Sequence, residues 1–150
     1  LRITAEQHLA GIEATTREIL RRISGTLNQL KPERSVEVRG ISDLTVEGHK
    51  FSGNSQRWLT TTLLHHGTIL YDFDLERIPR YLTSPEREPD YRSHRDHLEF
   101  VTNYEINPTQ LRDALIETWQ ASEPEPVLPR ERVQQLVQEK YATENWNLRR

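Results

Sequence analysis

The stretch from Ser42 to Leu70 limits what this chain can fold into more than any other. It runs Ser42-Asp-Leu-Thr-Val-Glu-Gly-His-Lys-Phe-Ser-Gly-Asn-Ser-Gln-Arg57 and leads into Leu63-Leu-His-His-Gly-Thr-Ile-Leu70. A polar, turn-rich segment set between runs of strand-like character calls for a hairpin. Gly48-His49 is the expected turn, because glycine supplies the positive φ that tight turns need. Lys50 then stands on a stiff element just past that turn, with Phe51 pointing to the opposite face. Ser52, Gly53, Asn54 and Ser55 offer hydroxyl, amide and backbone N–H donors in a row, and Gly53 allows close approach to the main chain. Donors beside one fixed cation suit a phosphate or another oxyanion. An ordinary surface loop has the same composition, and residue types alone do not separate the two. His65 and His66 are adjacent on a strand, so at most one of them reaches such a site. With no cysteine, no zinc pattern accompanies them.

The rest of the chain supplies covering elements. Thr4-Ala-Glu-Gln7 reads as a capping box. Leu9, Ile12, Thr16, Ile19, Leu20, Ile23, Leu27 and Leu30 then recur at helical spacing, and Pro32 follows the expected end. Ser35-Val-Glu-Val-Arg39 alternates as a half-buried strand, and a second strand region is expected between Trp58 and Phe73. Asp74 is the expected N-cap of a short helix reaching Leu82. Thr83 to Asn107 reads as a long charged loop in which Arg92, His94, Arg95 and His97 are solvated or meet a phosphate or an acidic carrier surface. Asn107-Pro108 opens a helix that buries Leu111, Ala114, Leu115, Thr118 and Trp119. Glu123-Pro-Glu-Pro-Val-Leu-Pro129 reads as a stiff linker. A last helix carries Val133, Leu136, Val137, Lys140 and Tyr141, and Trp146 is expected to anchor the tail. These elements predict an α/β (α+β) fold, a mixed, largely antiparallel sheet flanked by helices.

Asp43-Leu44, Gly48 through Arg57 and His65-His66-Gly67-Thr68-Ile69-Leu70 together resemble the lipoate-protein ligase family. There, a lysine followed by an apolar residue and Ser-Gly precedes a His-His-Gly-Thr strand. Asp74-Leu-Glu-Arg-Ile-Pro-Arg-Tyr-Leu82, Val101-Thr102-Asn103 and Lys140-Tyr141 through Asn145-Trp146-Asn147 are similar to later elements of the family in the same order. The resemblance implies the biotin and lipoate ligase catalytic module, ATP-dependent activation of lipoate or octanoate to lipoyl-AMP, and transfer to a lysine of a lipoyl carrier domain. Carriers of the 2-oxoacid dehydrogenase E2 or glycine cleavage H protein type would be the partners. Lys50 would hold the acyl carbonyl and phosphate of the adenylate. Asp43 would sit near the nucleotide phosphate, with Mg as a possible bridge, and Ser52, Gly53, His66, Gly67 and Thr68 would line the adenylate pocket. The His-His-Gly-Thr strand fits the lipoate branch better than the biotin branch.

One family feature has no counterpart. Upstream of this region the family carries a double-arginine and glycine-rich segment, whereas Arg21-Arg22 here is followed by Ile-Ser-Gly-Thr within a helical pattern. Residues 1–122 therefore resemble the later half of the catalytic domain, with 123–129 a linker and 130–150 a C-terminal helix and tail. A second polypeptide supplies the first half, or the sequence omits it, or the chain is a non-catalytic partner or degenerate homologue that binds a carrier domain or complementary subunit.

Composition narrows the classes. Twenty Lys and Arg stand against 23 Asp and Glu, a net charge of -3, which argues against a dedicated nucleic-acid binder. Apolar residues make up 34%, low for a domain closing its own core and in keeping with a half that buries a face against something else. Without a cysteine there is no disulfide framework and no thiolate for the acyl transfer used by related octanoyltransferases. The absence of methionine implies that the sequence begins after its translation start. No apolar run approaches the roughly 20 residues of a membrane span and no signal peptide stands out, so a cytoplasmic protein is expected.

Overall fold

The computed structural model describes residues 5–121, 123, 124 and 127–149; the expected cap at Thr4 lies outside them. Helix α1 runs Ala5–Leu30 and is interrupted at Gly11, where φ 78° and ψ -179° are non-helical. Glycine takes that positive φ without a Cβ penalty. Beyond the break the amphipathic stripe holds: Leu20 and Leu27 are fully buried, Ile19 and Thr16 nearly so, and Ile23 and Leu30 pack at the margin. Ile12, expected in the stripe, is 59% exposed one residue past Gly11. Arg21 and Arg22 lie on the outer face, where both donate to Glu18.

Four strands follow, β1 (Val36–Arg39), β2 (Asp43–Val46), β3 (His49–Trp58) and β4 (Leu63–Ile69), in the order β1-β2-β3-β4. All pair antiparallel with their neighbours, and an isolated parallel bridge joins Lys50 to Val101. The β2–β3 turn is Glu47-Gly48 rather than Gly48-His49, since Val46 pairs with His49. Both turn residues have positive φ, 53° and 76°, the two-residue geometry whose twist matches its strands.

One face of the sheet is covered by α1, against which helix α4 (Pro108–Thr118) packs. Leu20, Leu27, Val36, Leu44, Val46, Phe51, Tyr104, Ile106 and Leu111 form the core there. Phe51 and Tyr104 stack at 4.7 Å, and the Tyr104 hydroxyl donates to the Leu27 carbonyl at 3.2 Å. This ties the Val101–Tyr104 segment to α1. Asn107 caps α4 as expected, accepting from the Thr109 and Gln110 amides, but Trp119 is only half-buried, with the Arg22 guanidinium over its ring.

The stretch expected as a long loop is more ordered than its charge suggested. Helix α2 (Arg77–Tyr81) begins three residues after Asp74 without a side-chain cap; Asp74 pairs instead with Arg77. A 3-10 turn at Asp90–Arg92 and helix α3 (His97–Phe100) follow, the latter capped by Asp96. Helix α5 (Arg130–Leu136), a π turn at Val137–Tyr141 and helix α6 (Glu144–Asn147) end the chain. Val133, Val137 and Tyr141 are exposed, and Trp146 packs edge-to-face on Tyr141 at 5.0 Å. The tail's aromatic residues thus pack on each other. Among the described residues no helix is long and apolar enough to cross a membrane.

Candidate active site

The site is built by a one-residue register step. Thr45 pairs with Lys50 but Leu44 pairs with Ser52, so Phe51 is the extra residue of a bulge. A bulge shifts side-chain alternation on one strand. Phe51 and Ser52 therefore both turn toward the Leu44 face, while Lys50 and Gly53, three residues apart, share the other face with Asp43. A strictly alternating strand would have separated Lys50 from Gly53.

On that outer face the Lys50 ammonium lies 2.8 Å from Asp43 Oδ1. The Tyr91 hydroxyl donates to Asp43 Oδ2 at 2.7 Å. Asp43 is 8% exposed, and a buried carboxylate is tolerated when both oxygens are paired in this way. Burial and the Asp43 hydrogen bond push the Tyr91 phenol far above its ordinary value, so it remains a donor. Gly53 leaves room for the lysine: a Cβ there would lie a tight 3.2 Å from Lys50 Cε and 3.3 Å from Nζ. The ammonium rests on bare backbone.

Lys50 stands where two clefts meet. The first, about 340 Å³, is lined by Ser42, Asp43, Lys50, Gly53, Asn54, Ser55, His66, Gly67 and Thr68. It brings together six of the seven residues singled out in the sequence. Ser52 is the exception; its hydroxyl is buried and accepts from Asn54 Nδ2 at 3.0 Å. It lines instead the second cleft, about 330 Å³, with Lys50, Phe51, Leu70, Arg92 and Phe100 among its walls. Gly67 lies under the Asn54 amide, which a Cβ would strike, and Asn54 is held by donating to the Ser42 carbonyl at 2.9 Å.

The two histidines part as adjacent strand residues must. His66 is exposed in the first cleft, whereas His65 faces the other way, with Nδ1 3.2 Å from Gln56 Nε2. Burial, and secondarily the neighbouring His66, lower the His65 pKa. Tyr91 was not legible as a site residue, and Arg92 was legible only as one of four basic loop residues that are solvated or meet a phosphate or an acidic carrier surface. Arg92, read as part of a solvated loop, is 4% exposed.

Solved structures share this architecture. A bipartite lipoate protein ligase from Thermoplasma acidophilum, studied with its E2 lipoyl domain, superposes with TM-score 0.70 at 19% identity, over 90% of this chain and 57% of that one. A lipoate-protein ligase A bound with ATP gives TM-score 0.67 at 20% identity, over 91% and 59%. At these identities the likeness is one of fold. The family itself follows from the sequence: residues 2–120 match the lipoyl protein ligase A/B catalytic domain, and the chain belongs to that family. It is 37% identical over 59 residues to lipoate-protein ligase 1 of Plasmodium falciparum, covering 38% of this chain and 14% of that protein. It is 39% identical over 61 residues to the probable lipoate-protein ligase A of Mycoplasma pneumoniae, covering 38% and 18%. The chain thus spans less than a fifth of those two proteins and less than three fifths of the two structures.

Proposed function

We propose that this chain is the Lys50-bearing part of a lipoate-protein ligase, which activates lipoate or octanoate with ATP to the acyl adenylate and transfers the acyl group to a carrier lysine. The observation that carries this is the placement of Lys50, paired to Asp43 at 2.8 Å over a side-chain-free Gly53, at the junction of two clefts. In the transfer step the carrier amine forms a bond to the acyl carbon, the bond from that carbon to the phosphate oxygen breaks, AMP leaves with the electron pair, and the amine loses a proton. Negative charge develops on the carbonyl and phosphate oxygens. A cation already fixed beside them stabilises that charge without reorganising. Asp43 and Tyr91 hold it there.

His66, Gly67 and Thr68 present a side of the first cleft on which adenylate oxygens can rest, and Ser52 belongs to the second. Asp43 does not fit a metal role in this arrangement. Its two oxygens are engaged by Lys50 and Tyr91, and among the described residues no group of three or more metal-ligating side chains surrounds it. No step is assigned to a metal. Residues 1–122 form the ligase-like body, 123–129 the linker and 130–150 the tail, a division supported by the family match ending at residue 120. A lipoyl carrier domain is the acceptor, a second polypeptide or a further segment of the same protein supplies the rest of a whole ligase, and a cytoplasmic location is part of this reading.

The test is mass spectrometry of a lipoyl carrier domain incubated with ATP, octanoate or lipoate and the protein in the assembly in which it purifies. The wild type is expected to acylate the carrier lysine, and Lys50→Ala to do so at least about 100-fold more slowly, the order of loss seen when one preorganised charge-stabilising group is removed. Equal rates would overturn the assignment of Lys50. Carrier binding without acylation would instead mark the chain as a non-catalytic partner.

A further inference from the structure

Arg92 is a buried charge to which the ligase reading gives no task. It ends the 3-10 turn Asp90–Arg92. Its Nε donates to the Arg95 carbonyl at 2.9 Å and lies 3.3 Å from Glu88 Oε2. The guanidinium carbon sits 4.7 Å from the centre of the Phe100 ring. Nη2 is buried and has no hydrogen-bond partner among the described residues. A guanidinium keeps its charge and offers five donors in a planar fork, so an unanswered donor beside a cleft points to an acceptor from outside the chain. Glu88 is shared, since its other carboxylate oxygen lies 2.7 Å from His94 Nδ1.

The surroundings indicate what that acceptor is. Arg92 and Lys50 both line the second cleft, and Phe51, Leu70, Leu82 and Val101 supply apolar wall between and beside them. Two cations in a largely apolar cleft suit an oxyanion carried on a less polar body.

We infer that Arg92 is a second oxyanion-binding residue of this site, its guanidinium donating to a carboxylate or phosphate oxygen of a ligand lodged in the cleft it shares with Lys50. This rests on the ligase reading, under which the oxyanion is either the carboxylate of the fatty acid or the phosphate of the adenylate.

Isothermal titration of the purified protein with AMP and, separately, with octanoate decides between them. Wild type, Arg92→Gln, Lys50→Ala and Leu82→Trp are compared, with thermal melting of each to establish folding. Arg92→Gln is expected to weaken one probe by about tenfold or more, as loss of a charge-assisted hydrogen bond does. Loss of AMP binding identifies a phosphate site and loss of octanoate binding a carboxylate site. Leu82 lines the same cleft, so Leu82→Trp is expected to crowd it with Arg92 unchanged, and the same loss is expected. If Arg92→Gln does not fold, Leu82→Trp decides alone. Wild-type affinity in both folded variants would overturn the inference, and a loss confined to Lys50→Ala would do so while leaving the ligase reading standing. A wild type that binds neither probe would overturn the inference, and carrier acylation by the same preparation would show that the ligase reading still stands.

Discussion

Gly53 and Tyr91 show how individual residues fix the candidate catalytic lysine. A methyl group at position 53 meets Lys50 Cε and Nζ at 3.2 and 3.3 Å, so in Gly53→Ala the end of the lysine side chain must shift by a few tenths of an ångström beside Asp43. The expected outcome is a loss of carrier acylation of about tenfold or more with little change in melting temperature; unchanged activity would show that the lysine works from another position. Tyr91→Phe leaves Oδ2 of a carboxylate that is 8% exposed without its donor. Urea unfolding should register a loss of about 1–2 kcal/mol. Lys50, Gly53 and His66 could be picked out in the sequence because they lie within one hairpin and its neighbouring strand, where spacing dictates proximity. Tyr91 could not, because it reaches Asp43 across 48 residues. Arg92 looked solvated because its neighbours are charged; the covering Phe100 ring is a tertiary feature that local composition does not encode.

Among the elements, the β2–β3 hairpin carries the most information. Its turn places Glu47 at φ 53°, a conformation that costs a residue with a Cβ and suits asparagine or glycine. Glu47→Asn is therefore expected to stabilise the protein by about 0.5–1 kcal/mol, read as a raised urea midpoint at constant slope. A lower midpoint would mean that the glutamate side chain makes a contribution the turn geometry does not explain. The hairpin itself was legible from Gly48, but the bulge at Phe51 was not. Strict alternation predicts Lys50 and Ser52 side by side, and only the register step places Gly53 under the lysine. In α1, hydrogen bonds from Arg21 and then Arg22 draw the Glu18 pKa down to about 2. Because the folded value lies below the ordinary 4.5, the stabilisation is present above pH 4.5 and lost as pH falls toward 2. Glu18 is exposed enough for water to screen it, so Glu18→Gln should cost only about 0.3–1 kcal/mol at pH 7 and less in acid.

Over the whole molecule, the chain closes one face of its sheet and sets Lys50, Asp43 and Gly53 on the other. Leu20, Leu27, Leu44, Val46, Phe51 and Tyr104 seal the helical side; Leu20 and Leu27 followed from apolar periodicity, whereas Tyr104 lay in the stretch read as a charged loop. Ile12 departs from that periodicity, because Gly11 breaks the helix that would have buried it. His65 gives the fold a pH dependence. Its burial lowers the folded-state pKa below 6.5, so the unfolded chain takes up the proton first and stability is lost as pH falls below 6.5. Melting between pH 7.5 and 5.5 should show that decline in the wild type and a shallower one in His65→Gln. The central claim, that Lys50 holds an acyl adenylate in this fold, is tested most directly by titrating wild type and Lys50→Ala with a non-hydrolysable lipoyl-adenylate analogue. Saturable binding by the wild type and affinity at least about tenfold weaker in a folded Lys50→Ala, the scale of one lost charge-assisted hydrogen bond, is the expected result. Equal affinity in the two proteins would contradict it.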